Sequence, residues 1–255
     1  MLFRSAGASA VAQAVEQLKS QGVRIAIVDA VSNDDLIRMG PALRDLPLLT
    51  AGSGVAIALP ANFGLQVDPR TSRLPVAGGR QAIVSGSCSQ VTLGQVQHAI
   101  AHGVPTWALE PAALMDDAGQ QQAIANALQF ASQHATTPVL VYSSAAPDAV
   151  RAIQQRFGVE QAGHRVEQTL AAIARGLVEQ GVRQLVVAGG ETSGACVQAL
   201  GIEQMQIGPQ IDPGVPWCHA ASPLSPEGLH ITLKSGNFGG VDFFTRSLAQ
   251  LQNAA

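Results

Sequence analysis

Three times along this chain an apolar run stops at a turn of glycine and hydroxyl residues, and a helical pattern takes over. The turns lie in Val84-Ser85-Gly86-Ser87-Cys88-Ser89, in Val187-Ala188-Gly189-Gly190-Glu191-Thr192-Ser193-Gly194-Ala195, and in Leu233-Lys234-Ser235-Gly236-Asn237-Phe238-Gly239-Gly240. Strand, tight turn and helix in repetition build an α/β fold around a mostly parallel sheet flanked by helices. Ligands of such sheets sit at the carboxyl ends of the strands, so the three turns can converge on one ligand. Glycine admits positive φ and close backbone approach. A helix N-terminus adds free N–H groups and the positive end of a dipole, which suits a phosphate. The competing reading is structural, since a glycine after a strand is also ordinary punctuation. The common nucleotide fingerprints are absent. There is no GxxxxGK[ST], and Gly52-Ser53-Gly54 meets Ile57 where GxGxxG needs its third glycine. GxSxG is missing as well, which weighs against a hydrolase built on Ser85 or Ser87.

Periodicity predicts helices over 8–20 and 34–43 and strands over 24–29 and 46–50, then a helix start over 52–59 cut by Pro60. Residues 61–80 carry Asn62, Gly64, Pro69, Pro75, Gly78 and Gly79 with little periodicity and read as linker-like. Strands follow at 81–85, 105–109, 138–142, 184–188, 203–207 and 229–233. Helices are expected at 92–102, 118–133, 147–157, 162–180, 193–200 and 241–252, with a turn-rich stretch over 208–228. The expected division is a partial α/β segment over 1–65, a linker over 66–80 and a second domain over 81–255.

The three turns, with Gly208-Pro209-Gln210-Ile211-Asp212-Pro213-Gly214-Val215-Pro216-Trp217 between the last two, resemble the four-carbon acid sugar kinase family, in particular its 3-oxo-tetronate kinase branch. The likeness also takes in Gly22-Val23-Arg24-Ile25-Ala26-Ile27-Val28-Asp29-Ala30-Val31 and Leu48-Leu49-Thr50-Ala51-Gly52-Ser53-Gly54. It implies a nucleotide-binding domain over 81–255 and ATP-dependent phosphorylation of a four-carbon sugar acid, 3-oxo-tetronate to its 4-phosphate. One departure stands out. The family's Ala-Asp-Asp-Phe-Thr-Gly-Ala-like motif is absent, and Asp34-Asp35 reads as a helix start capped by Ser32 or Asn33. Residues 1–65 are therefore expected to be the end of the sugar-acid-binding domain, with its N-terminal part missing. A homodimer or the missing domain is the expected partner. The alternative function is a non-catalytic nucleotide-binding or partner module of the same fold.

The resemblance implies cofactor binding by Ser85, Gly86, Ser87, Gly189, Gly190, Glu191, Thr192, Gly236 and Asn237, with ATP and Mg²⁺ as cofactors. Two readings stay open for several of these. Ser85 and the backbone around Gly86 and Ser87 hold phosphate or ribose oxygens, or the serines cap the helix from Thr92. Glu191 holds Mg²⁺, directly or through water, or caps its own helix. Lys234 either adds charge to the phosphate cradle or is a solvated strand-end lysine. Asp212–Trp217 is expected to shape a wall, with Trp217 in the core. Asp29 and the Thr50–Gly54 turn are placed towards the sugar acid by the resemblance. No residue stands out as the catalytic base. His98 and His102 have metal-ligand spacing but no third ligand.

Composition narrows the partners. A net charge of −3 gives no electrostatic case for nucleic acid or an anionic membrane. No apolar run approaches a membrane span. Three cysteines without a CxxC argue against a disulfide framework and for a reducing cytoplasm.

Overall fold

The structure, a computed structural model, describes residues 7–66, 68–143, 155 and 157–252. It divides into two compact units, Met1–Asp68 and Pro69–Ala255. Most of the helix expected over 147–157 lies outside the described residues.

In the first unit, α1 spans Ala8–Ser20 and buries Val11 and Ala14. Helix α2, Asn33–Met39, is capped by Ser32, whose hydroxyl accepts from Asp35 N at 3.2 Å. Asp35 reaches back to Val31 N at 3.1 Å, so the two ends of the first turn satisfy each other. Short 3₁₀ turns follow at Gly40–Leu43, Ser53–Ile57 and Pro60–Phe63. The strands expected over 24–29 and 46–50 are not formed, and among the described residues neither segment pairs with a neighbour. Their β-branched and leucine side chains stand in water instead, with Ile25 85%, Ile27 93% and Leu48 81% exposed. A strand is stabilised by cross-strand pairs and a buried face. Without either, nothing offsets the entropy of ordering the backbone.

The second unit is built on seven strands: β1 Arg80–Ser85, β2 Thr106–Ala108, β3 Val139–Tyr142, β4 Val182–Ala188, β5 Met205–Asp212, β6 Val215–Ser222 and β7 Ser225–Lys234. Their order is β2-β3-β1-β4-β7-β6-β5. The first five in that order are parallel, and β6 and β5 add an antiparallel ribbon. The apolar runs are nearly continuous because the central strands are covered on both faces. Ala82, Val84, Leu185 and Val187 face one core, which α4 (Asp117–Gln133), α5 (Val159–Glu179) and α6 (Gly190–Ala199) help to form. Ile83, Val186 and Ala188 face the other, with α3 (Gln90–Ala101) and α7 (Phe243–Gln252).

The turn-rich stretch expected over 208–228 is mostly this antiparallel ribbon. Prolines 209, 213 and 216 hid it, yet each has a permitted place. Pro209 falls in a register break of the edge strand β5, Pro213 in the β5–β6 turn, and Pro216 next to another irregularity. Trp217 is fully buried, and its ring N–H donates to the Ser247 carbonyl at 2.9 Å. The linker expected over 66–80 is tied to the sheet from residue 73 onward. Carbonyls of Arg73, Pro75 and Gly78 bond Gln206, His230 and Gln184.

Leu177 lies fully buried on α5 against this sheet. Leu177→Ala should lower the stability of the second unit by about 2–5 kcal/mol in urea unfolding followed by circular dichroism, whereas Arg175→Ala on the exposed side of α5 should change it by less than about 0.5 kcal/mol.

Candidate functional site

Adjacent strands β1 and β4 send the chain to opposite faces. After β1 the chain enters α3 on one face, and after β4 it enters α6 on the other. Such a divergence opens a crevice outside the carboxyl ends of the two strands. A cavity of about 350 Å³ lies there. Gly86, Ser87 and Cys88 line it from β1, and Gly189, Gly190, Glu191 and Thr192 from β4. Its remaining walls include Ser143 after β3 and Ala162, Val166 and Glu167 of α5.

The sheet ladder holds these turns in register by running one residue past the strands. Gly86 N donates to Ala188 O at 2.9 Å, Gly189 N to Lys234 O at 2.8 Å, and Ser143 N to Ser85 O at 2.9 Å. The turns then touch. A Cβ at Gly86 would lie 2.2 Å from Thr192 Oγ1, and one at Gly236 would lie 2.5 Å from Ser87 Oγ. Gly189 holds a φ of 125° that other residues rarely adopt. Gly190 differs from all three, because a Cβ there meets nothing within 4 Å. The space beside it is open to the cavity and not taken by protein.

The N-terminus of α6 is the electropositive part of the site. Ser89 caps α3 and Asp116 caps α4 through their side chains, but α6 starts at Gly189 with no side-chain cap. Its first amides have no intrahelical acceptor, and the residues that carry them line the cavity, as an anion site requires. Two carboxylates face the same space. Glu167 is hydrogen-bonded to Glu191, and its pKa is raised above the ordinary value of 4.5, first by burial and then by the charge of Glu191 and the bond to it; His164 opposes the shift. The oxygen of Ser143, itself buried, has no hydrogen-bond partner among the described residues.

Of the residues expected at the site, Gly86, Ser87, Gly189, Gly190, Glu191 and Thr192 line one cavity. Ser85 lies fully buried beneath it, with its carbonyl in the ladder. Gly236 packs against Ser87 from behind, and Asn237 is exposed on that same outer turn. Of the two readings of Lys234, the solvated strand-end lysine is overturned. Its side chain is fully buried, so it is no solvated lysine, and it is not among the cavity's lining residues. Burial pulls its pKa from 10.5 down to about 8. Sequence reasoning missed Glu167. Its only signal was a place on the amphipathic helix α5, where a glutamate on a half-buried face resembles any other.

Two sequence profiles match the chain: a sugar-binding N-terminal domain over residues 3–59 and a nucleotide-binding C-terminal domain over residues 82–244. Curated relatives from Burkholderia multivorans and Cupriavidus necator, both named 3-oxo-tetronate kinase, are 48% and 47% identical over 98% and 96% of the chain. The chain spans 58% and 56% of their lengths. Among solved structures, a protein from Salmonella typhimurium LT2 superposes with a TM-score of 0.79 at 34% identity, covering 97% of this chain and 58% of that one. Haemophilus influenzae protein HI1011 does so with a TM-score of 0.69 at 36% identity, covering 98% and 59%. The nucleotide-binding profile covers the glycine turns and the strands that carry them, and on that ground the chain belongs to the four-carbon acid sugar kinase family.

Proposed function

We propose that the cavity at the ends of β1 and β4 binds ATP, and that the whole protein uses it to phosphorylate a four-carbon sugar acid, converting 3-oxo-tetronate to its 4-phosphate. The observation that supports this most is the uncapped N-terminus of α6 beside Gly190, where open space and free amides coincide. Phosphoryl transfer asks mainly for positioning and charge neutralisation. The turns of Gly86–Ser87 and Gly189–Thr192 supply close backbone approach to a phosphate chain. Ala162 and Val166 give the same cavity an apolar wall suited to a flat base.

Glu191 and Glu167 have the chemistry to hold Mg²⁺, which takes one or two carboxylates and keeps several waters. The charge of Glu191 raises the pKa of Glu167, so a cation held by the two carboxyls competes with a proton on Glu167. When bound, Mg²⁺ neutralises phosphate charge. The relatives' name supports the sugar acid as acceptor, and the sugar-binding profile over residues 3–59 supports a place for it in the first unit. Asp29 and Thr50–Gly54 belong to that unit and stay candidates for acceptor contacts.

Calorimetric titration of ATP·Mg²⁺ into the purified chain tests the nucleotide reading. The wild type should bind saturably. Gly190→Arg should weaken binding by at least about tenfold while melting at nearly the same temperature, because the new side chain leaves into open space. A well-folded wild type that binds no ATP would sink the proposal. Saturable binding by a protein that, with its full sugar-binding domain present, transfers no phosphate would favour the non-catalytic module.

Metal binding has its own readout. Mn²⁺, followed by paramagnetic resonance in the presence of ATP, should bind more tightly as pH rises from 4.5 through the raised pKa of Glu167, because the ion competes with that proton. Glu167→Gln should flatten this dependence and Glu191→Gln should weaken Mn²⁺ at every pH. Unchanged Mn²⁺ profiles in both variants would exclude the pair as its ligands.

A further inference from the structure

The buried side chain of Lys234 ends in a set of bonds that none of the proposed nucleotide contacts uses. Its Nζ donates to Thr92 Oγ1 at 3.0 Å, Ser235 O at 3.0 Å and Gly236 O at 3.1 Å. The Gly236 carbonyl also accepts from Ser89 Oγ at 2.6 Å and Thr92 Oγ1 at 2.9 Å. One carbonyl thus collects donors from β7, from the turn after β1 and from the first turn of α3. Further along, Gln95 Nε2 lies within bonding distance of the carbonyls of Phe238, Gly239 and Gly240, at 2.9–3.1 Å. The carbonyls of 235, 236 and 238–240 are therefore all drawn inward towards α3. Among the described residues, no acceptor takes the N–H of Gly236 or Asn237.

We propose that Lys234 is a positioning residue: its ammonium holds the 235–240 turn with carbonyls inward, and so seats Gly236 against Ser87 and fixes the wall of the nucleotide cavity that Ser87 forms. The role rests on the nucleotide reading of that cavity. Lys234 acts through the turn and touches no nucleotide. An ammonium suits the task because several carbonyl and hydroxyl oxygens converge on it, and a lysine supplies three donors with no acceptor. Fold stability is a poor explanation for it. The bonds of its Nζ go to hydroxyl and carbonyl oxygens, so no opposite charge offsets its desolvation, and the Gly236 carbonyl keeps Ser89 and Thr92 as donors once Lys234 is replaced.

That contrast provides the test. Lys234→Met should melt at or above the wild-type temperature, yet the bonded amides of Phe238 and Gly240, which donate to Ser235 O and Asp212 Oδ2, should exchange with deuterium at least about tenfold faster without ligand, and ATP·Mg²⁺ should bind at least about tenfold more weakly. Thr92→Val, which removes the hydroxyl between Lys234 and Gly236, should act in the same direction. Thr92→Ser, which keeps it, should match the wild type in both readouts. Where Lys234→Met fails to fold, the Thr92 pair carries the test. Unchanged exchange would overturn the brace, and faster exchange with unchanged ATP affinity would overturn its role at the site. A folded wild type that binds no ATP removes that role too, and the exchange data then report the brace separately from the failed nucleotide reading.

Discussion

Everything at the carboxyl edge of the sheet depends on the ladder continuing one residue beyond its strands. The amides of Gly86, Gly189 and Ser143 each donate to a carbonyl at the end of the neighbouring strand. These bonds set where the turns begin, and hence which atoms meet. With Gly86 anchored to Ala188, Thr192 comes close enough to forbid a Cβ. With Gly189 anchored to Lys234, α6 starts where its first residues line the cavity. A parallel sheet covered on both faces gives this ladder its rigidity, since the central strands have no solvent-exposed face that could relax.

The site combines two kinds of polar group. At the front, the uncapped helix end and the paired carboxyls keep their capacity open towards the cavity. Behind the turn, Lys234, Thr92 and Ser89 bond one another or the Gly236 carbonyl, and Gln95 reaches the carbonyls of 238–240. The second group is costly to bury, and the low pKa of Lys234 is a measure of that cost. Orientation is what the burial gains. A loop of glycine and asparagine has little preference of its own, and the bonds behind it supply one.

Much of the second unit was legible. Continuous apolar runs located β1, β3, β4 and the end of β7 to within a residue or two, with glycine turns after all of these but β3, and helical periodicity located α3 to α7. The turns themselves pointed to the cavity, because strand ends in one parallel sheet must face one way. Three things were not legible, for different reasons. Prolines 209, 213 and 216 masked the antiparallel ribbon, since proline is tolerated at an edge or an irregularity and sequence does not mark edges. Glu167 comes to Glu191 only through helix packing, which periodicity does not encode. Lys234 has the same sequence context whether its side chain points inward or outward, and the acceptors that meet it inside include the hydroxyl of Thr92, 142 positions away.

In the first unit the local signal was strand-like and the outcome was not, because pairing is a property of neighbours. The unpaired segments around Ile25, Ile27 and Leu48 present backbone donors and acceptors beside bare aliphatic side chains. An apolar strand sequence of this kind is a template for β-pairing with another chain. It is also the type of surface that chaperones hold and proteases cut. Residues 23–30 are thus a surface that pairing with a further segment or chain would complete.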